Sequence, residues 1–115
     1  MNSNDYQILA SRTLIPAPER AYSAEEIMLV WNAIGLAGEA GEVADHIKKG
    51  VFHDHGVDKD KLVKELGDVL WYVAAIATKI DVPLSEIMDR NIAKLKHRYP
   101  DGFKVEDSIS RVDVQ

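Results

Sequence analysis

The sequence predicts an all-α fold, an antiparallel helical bundle of about four main helices. Three observations carry this reading. Apolar residues recur at three- and four-residue spacing over three long stretches, the period of one helix face. Clusters of proline, glycine and short polar residues separate those stretches. No stretch shows the two-residue alternation of a half-buried strand.

Residues 5–13 read as a short first helix with a weak stripe of Tyr6, Leu9 and Ala10. Pro16 and Pro18 break it, since proline lacks the amide hydrogen a helix uses, and residues 14–22 form an irregular connection. Ser23 opens the second helix as N-cap, and Glu26 three residues later completes a capping box. This helix runs to about Lys49, with Ile27, Val30, Trp31, Ile34, Ala37, Val43 and Ile47 supplying apolar surface. Lys48 and Lys49 suit its negative end and Gly50 its C-terminal cap. Residues 51–57 form a loop, and Asp58 caps a third helix over residues 59–80, with Leu62, Leu66, Val69, Val73, Ile76 and Ile80 on one side. Asp81-Val-Pro83 interrupts the pattern. A fourth helix spans residues 84–98 with Ile87, Met88, Ile92 and Leu95 inward, and Tyr99-Pro-Asp-Gly102 ends it. Residues 1–104 make one helical domain, and the polar residues 105–115 a C-terminal tail that either packs on a partner subunit or stays loose.

The bulk numbers narrow the function. A chain of 115 residues holds one domain. No apolar run reaches the ~18 residues a membrane span needs, and residues 1–5 lack a signal-peptide pattern. The chain has no cysteine, which excludes disulfides, thiol catalysis and thiolate metal sites and fits a cytoplasmic protein. Lys and Arg total 14 against 19 Asp and Glu, a net charge of −5, whereas a general nucleic-acid binder is normally basic. An acidic protein can still take an anionic substrate if metal ions neutralise part of its site.

The chemistry concentrates in two segments, Gly35-Leu-Ala-Gly-Glu-Ala-Gly-Glu42 and Glu65-Leu-Gly-Asp68. Each places two carboxylates three residues apart, on one face of a helix. Advancing about 100° per residue, Asn32, Glu39, Glu42 and His46 share a stripe on the second helix. Glu65, Asp68 and Tyr72 share one on the third, and Asn91, Lys94 and Arg98 one on the fourth. These stripes are expected to border the apolar faces and to describe a pocket acidic on two walls and basic on the third. Four clustered carboxylates repel one another unless a cation joins them. Mg²⁺ suits such a set, because it takes oxygen ligands from carboxylates, waters and phosphates. With Lys94 and Arg98 nearby, the natural ligand is a polyphosphate, and the expected reaction is hydrolysis of a phosphoanhydride.

The same residues admit other readings. A single Glu-x-x-Glu on a helix is usually a solvated pair; two such pairs on apolar-flanked stripes, one among repeated glycines, are much less common. Gly35, Gly38 and Gly41 each cost a helix roughly 1 kcal/mol against alanine, so they imply close packing of a neighbouring helix, room for a ligand, or both. His53-Asp54-His55 falls in a loop without further ligands around it. His46 suits a hydrogen bond to a ligand residue better than direct ligation. Trp31 and Trp71 suit packing in the core or between subunits better than stacking on a base. A di-iron bundle would need Glu-x-x-His, and no Glu stands three residues before His46 or His97.

At these residues the chain resembles the MazG-like family of all-α nucleoside triphosphate pyrophosphohydrolases. The resemblance rests on Gly35 to Val43, on Lys64-Glu-Leu-Gly-Asp-Val-Leu-Trp-Tyr72, and on Asn91-Ile-Ala-Lys-Leu-Lys-His-Arg-Tyr-Pro-Asp-Gly-Phe103. Tyr6-Gln7 with Ala10 and Arg12-Thr13 also resembles the start of many members. The resemblance implies cleavage between the α- and β-phosphates of a (deoxy)nucleoside triphosphate to the monophosphate and pyrophosphate, with Mg²⁺ or, in its place, Mn²⁺. It implies metal ligation by Glu39, Glu42, Glu65 and Asp68, and substrate contacts from Asn32, Tyr72, Asn91, Lys94 and Arg98. It also implies a homodimer or homotetramer, with no nucleic-acid or membrane partner. Many members carry a glutamate where this chain has Gly38, and that departure leaves the general base open. The expected catalytic residues are Glu39 and Glu42, one of which orients the attacking water. The rival expectation is a non-catalytic nucleotide-binding regulatory module, which the same departure favours.

Overall fold

In a computed structural model, residues 1–114 are described; Gln115, the last residue of the expected tail, lies outside them. The described residues form helices α1 Ser3–Ser11, α2 Ala24–Phe52, α3 Lys59–Lys79, α4 Leu84–Arg98 and α5 Val105–Ser110, then a 3-10 turn Val112–Val114. No strand forms among them, so the all-α expectation holds. None of these helices is long and apolar enough to cross a membrane.

The caps explain most boundaries. α1 starts earlier than its apolar stripe because Asn2 accepts from the Asp5 amide at 2.9 Å and Asp5 reciprocates at 3.3 Å. At α2, Ser23 Oγ accepts from the Glu26 amide at 3.1 Å and Glu26 Oε1 accepts from the Ser23 amide at 3.0 Å. Arg20 grips the same carboxylate from the other side at 2.8 and 3.1 Å. Asp58 caps α3 by accepting from the Lys61 amide at 3.2 Å. The end of α2 corrects the sequence reading. Gly50 does not cap the helix; α2 continues to Phe52 with His53 as C-cap. Gly50 serves a close approach: a Cβ there would meet Val57 Cγ2 at 2.7 Å and the Gly56 carbonyl oxygen at 3.0 Å. The left-handed residues are instead Asp54 and Gly56, which fold the loop back so that the His55 and Gly56 amides donate to the carbonyls of Lys49 and Gly50.

α2 and α3 pack antiparallel and carry most of the contact between elements. On α2, Leu29, Asn32, Leu36, Glu39, Val43 and His46 are buried or half-buried at three- and four-residue spacing. Their counterparts on α3 are Leu62, Glu65, Val69, Tyr72, Val73, Ile76 and Ala77. The polar stripe of α2 therefore shares the packed face with Leu29, Leu36 and Val43. It does not border the stripe of Ile27, Val30 and Ile34, which lies about 140–160° round the helix from Asn32. Those three, with Trp31, point away from α3 and are 53–67% exposed. Leu66 on α3, Ile80 at its C-cap, and Met88, Ile92 and Leu95 on α4, all expected inward, are exposed as well. One pair of helices covers only one face of each, so the other apolar faces stay largely uncovered among the described residues.

The dimensions agree. The radius of gyration is 20.2 Å, where a compact chain of this length has about 13 Å. The accessible surface is 9575 Å², where about 6300 Å² is usual for this mass. Among the described residues only Ala77 and Asn32 are buried. Residues 105–114 fold onto α4 of the same chain through the 3-10 turn.

Candidate functional site at the seam of α2 and α3

The carboxylates line two clefts along the seam, two in each. Glu39 of α2 and Asp68 of α3 line one cleft together with Trp71 and Tyr72. Glu42 of α2 and Glu65 of α3 line the adjoining cleft, of about 350 Å³, with His46 and Asp58. Four oxygen-donor side chains from two helices thus flank one line of contact. Gly35 makes room for this arrangement: an added Cβ would sit 2.3 Å from Cε1 of Tyr72. Trp71 meets the Tyr72 ring edge to face at 5.0 Å. Gly38 and Gly41 face open space, with nothing within 4 Å of an added Cβ. The two explanations of the glycines therefore divide, Gly35 serving packing and the other two leaving room.

His46 joins the two helices inside the second cleft. Its Nε2 accepts from the Asp58 amide at 3.2 Å, and its Nδ1 lies 3.3 Å from Glu65 Oε2. The side chains are only 9% and 13% exposed. Glu65 Oε2 is buried without an aligned hydrogen-bond donor. At the rim, Asp45 pairs with Lys49 at 2.8 Å and Lys48 at 3.1 Å. The hydrogen bond from Lys49, then that from Lys48, holds the Asp45 carboxyl at about 2, and the same carboxylate raises Lys49. Lys49 is thereby engaged.

A third cleft, of about 370 Å³, opens at the other end of the seam. Met28, Asn32, Trp71, Ala74, Ala75, Thr78 and Lys79 line it. Asn32 is buried and donates through Nδ2 to the Met28 carbonyl at 2.8 Å. The basic wall is elsewhere. Asn91 and Lys94 are exposed on α4 and line none of these three clefts, because α4 meets α3 over only a short stretch. Arg98 is turned toward the chain's own end: Nε and Nη2 donate to the two oxygens of Asp113, the latter at 2.6 Å. Those bonds raise the Arg98 guanidinium and hold the Asp113 carboxyl at about 2. His53 and His55 stand edge to face in the loop, 5.9 Å apart. Sequence reasoning missed the Arg98–Asp113 pair and the Asp58 amide on His46. The first joins residues 15 apart with no local pattern, and the second depends on the loop folding back.

The family model of the MazG nucleotide pyrophosphohydrolase domain matches residues 31–103, more than half of the chain. The chain belongs to this family. The MazG match takes in both acidic pairs, Tyr72 and the polar stripe of α4, and ends before α5. The chain is also similar to the Gene 37 protein of Mycobacterium phage L5, 43% identical over 107 residues, covering 89% of this chain and 92% of that protein. No solved structure matches.

The donor set suits a hard divalent cation: carboxylate oxygens on facing helices, Glu39 and Asp68 in one cleft and Glu42 and Glu65 in the other. Among the described residues, no three His, Asp or Glu side chains stand close enough together to form a finished cage. Pairs of carboxylates that leave further positions to water and phosphate are the usual setting for Mg²⁺.

Proposed function

We propose that the chain is a Mg²⁺-dependent pyrophosphohydrolase that cleaves a (deoxy)nucleoside triphosphate between its α- and β-phosphates. The observation that carries this reading is that Glu39 and Asp68 line one cleft of the helix seam and Glu42 and Glu65 line another. The family membership supports it. Glu39, Glu42, Glu65 and Asp68 would hold the ion, with Mn²⁺ able to substitute. When bound, it supplies neutralisation of phosphate charge and a more acidic water. Glu39 or Glu42 then orients the attacking water and takes its proton. The new bond forms at the α-phosphorus, the bond to the bridging oxygen breaks, and pyrophosphate leaves. Tyr72 lies beside Glu39 and Asp68, within reach of a phosphate held there. The cleft of Asn32 and Trp71 suits the nucleoside, with an apolar lining and a buried amide.

The basic contacts complete the site in an assembly. We propose that a second copy covers the outward face of Ile27, Val30, Trp31 and Ile34, forming a homodimer or homotetramer. The excess of roughly 3300 Å² over a compact chain's surface exceeds the ~800 Å² per partner of a standard interface. Asn91 and Lys94 would reach the phosphates within that assembly, while Arg98 stays with Asp113. A cytoplasmic setting would supply both magnesium and nucleoside triphosphates. The test is a panel of nucleoside triphosphates, with dCTP, dUTP and damaged nucleotides among them, assayed with Mg²⁺ for monophosphate and pyrophosphate. Release of both from at least one substrate is expected. Binding without release at high enzyme concentration would overturn the enzymatic reading in favour of a regulatory nucleotide-binding module.

A further inference from the structure

We propose that His46 is a positioning residue that holds Glu65 by its Oε2 and leaves the other carboxylate oxygen to the cation. This rests on the reading that Glu65 takes a divalent ion. The tautomer follows from geometry. Nε2 accepts from the Asp58 amide at 3.2 Å, so the proton of a singly protonated ring sits on Nδ1. Nδ1 lies 3.3 Å from Glu65 Oε2, a buried oxygen with no aligned donor. A buried carboxylate oxygen left without a donor is costly, which favours a small rotation of the ring or the carboxylate that brings the Nδ1 proton into line with Oε2. The ring is fixed by backbone, not by another side chain. Gly50 admits Val57 and Gly56 against α2, and that fold-back delivers the Asp58 amide to Nε2. One imidazole thus ties the first turn of α3 to a carboxylate two turns further on. With Oε2 turned into the packed face toward Nδ1, Glu65 would present its other oxygen to the cation in a fixed direction. Residues behind metal ligands that act this way change metal affinity by about 10- to 100-fold when replaced.

Two substitutions separate positioning of Glu65 from a role in holding the loop. His46→Asn offers an amide donor near the place of Nδ1 and loses the link to Asp58. His46→Gln offers an acceptor near the place of Nε2 and loses the donor to Glu65. Mn²⁺ affinity is measured by electron paramagnetic resonance on the full chain, with metal-free melting followed by circular dichroism. His46→Gln is expected to keep its melting temperature near the native value and to bind Mn²⁺ at least 10-fold more weakly. His46→Asn is expected to melt lower yet bind Mn²⁺ within about 3-fold of the native chain. The reverse order of affinities, or native affinity in both variants, would overturn the proposal while leaving the metal site standing. Absence of Mn²⁺ binding in the native chain would overturn both.

Discussion

Gly35 and Gly38 lie three residues apart on one helix, and the same substitution should act on them with opposite sign. Replacing a mid-helix glycine by alanine stabilises by up to about 1 kcal/mol, since alanine loses less backbone freedom on folding. At Gly38 nothing lies within 4 Å of the added methyl, so Gly38→Ala should keep that gain. At Gly35 the methyl would lie 2.3, 2.4 and 2.9 Å from three ring atoms of Tyr72, distances no carbon pair tolerates. The ring must move, yet it is wedged against Trp71. Overpacking of this kind costs about 1–3 kcal/mol, which offsets the gain and leaves Gly35→Ala between neutral and about 2 kcal/mol less stable. The two variants should differ by about 1–3 kcal/mol, or some 4 °C or more in melting temperature. Thermal melts by circular dichroism at one fixed protomer concentration measure this, since assembly makes the melting temperature depend on concentration. Removing the ring supplies the control: in a Tyr72→Ala background, Gly35→Ala should become stabilising. If Gly35→Ala melts as high as Gly38→Ala with Tyr72 intact, the packing of Tyr72 on α2 is wrong, and with it the placing of Tyr72 in the cleft of Glu39 and Asp68.

Glu65→Gln or Asp68→Asn should abolish pyrophosphate release while the fold stays intact or melts higher, because repulsion among the acids falls; unfolding of both variants would count against a metal role. Asp113 should make docking of the 3-10 turn acid-sensitive. Its folded carboxyl is held at about 2, below the ordinary 3.8, chiefly by hydrogen bonds from Arg98, so the stabilisation is complete above about pH 4 and lost as pH falls through about 2. Amide exchange of Val114 should speed up over that window in the native chain, and be fast already at neutral pH in Asp113→Ala. Trp31→Glu with Ile34→Glu should shift sedimentation to the monomer, because both side chains are about two-thirds exposed on the face a second copy would cover. An unchanged sedimentation coefficient would place the interface elsewhere.

The parts of the fold legible in the sequence were those written locally. Ser23 with Glu26, and Asp58, named the starts of α2 and α3, because a cap is a contact between residues three apart. The spacing of Glu39 with Glu42 and of Glu65 with Asp68 put each pair on one helix face for the same reason. The direction in which an apolar stripe points is not local. Ile27, Val30 and Ile34 read as core, yet α3 packs on the face that carries Asn32, Glu39 and His46. The choice is made by which pair of faces interlocks best, and Gly35 against Tyr72 is part of that fit. Gly50 read as a cap for its residue type, and its use turned out to be space for Val57, which only the folded loop reveals. Arg98 read as free for substrate because Asp113 sits beyond the helix and beyond any periodic pattern.

Four carboxylates from two helices are proposed to serve one divalent cation. The most direct measurement is a Mn²⁺ titration of the native chain beside Glu39→Gln, Glu42→Gln, Glu65→Gln and Asp68→Asn, each checked for native helicity. A shared site predicts that every single substitution weakens Mn²⁺ binding by 10-fold or more. Native affinity in all four variants, or no binding to begin with, would contradict it.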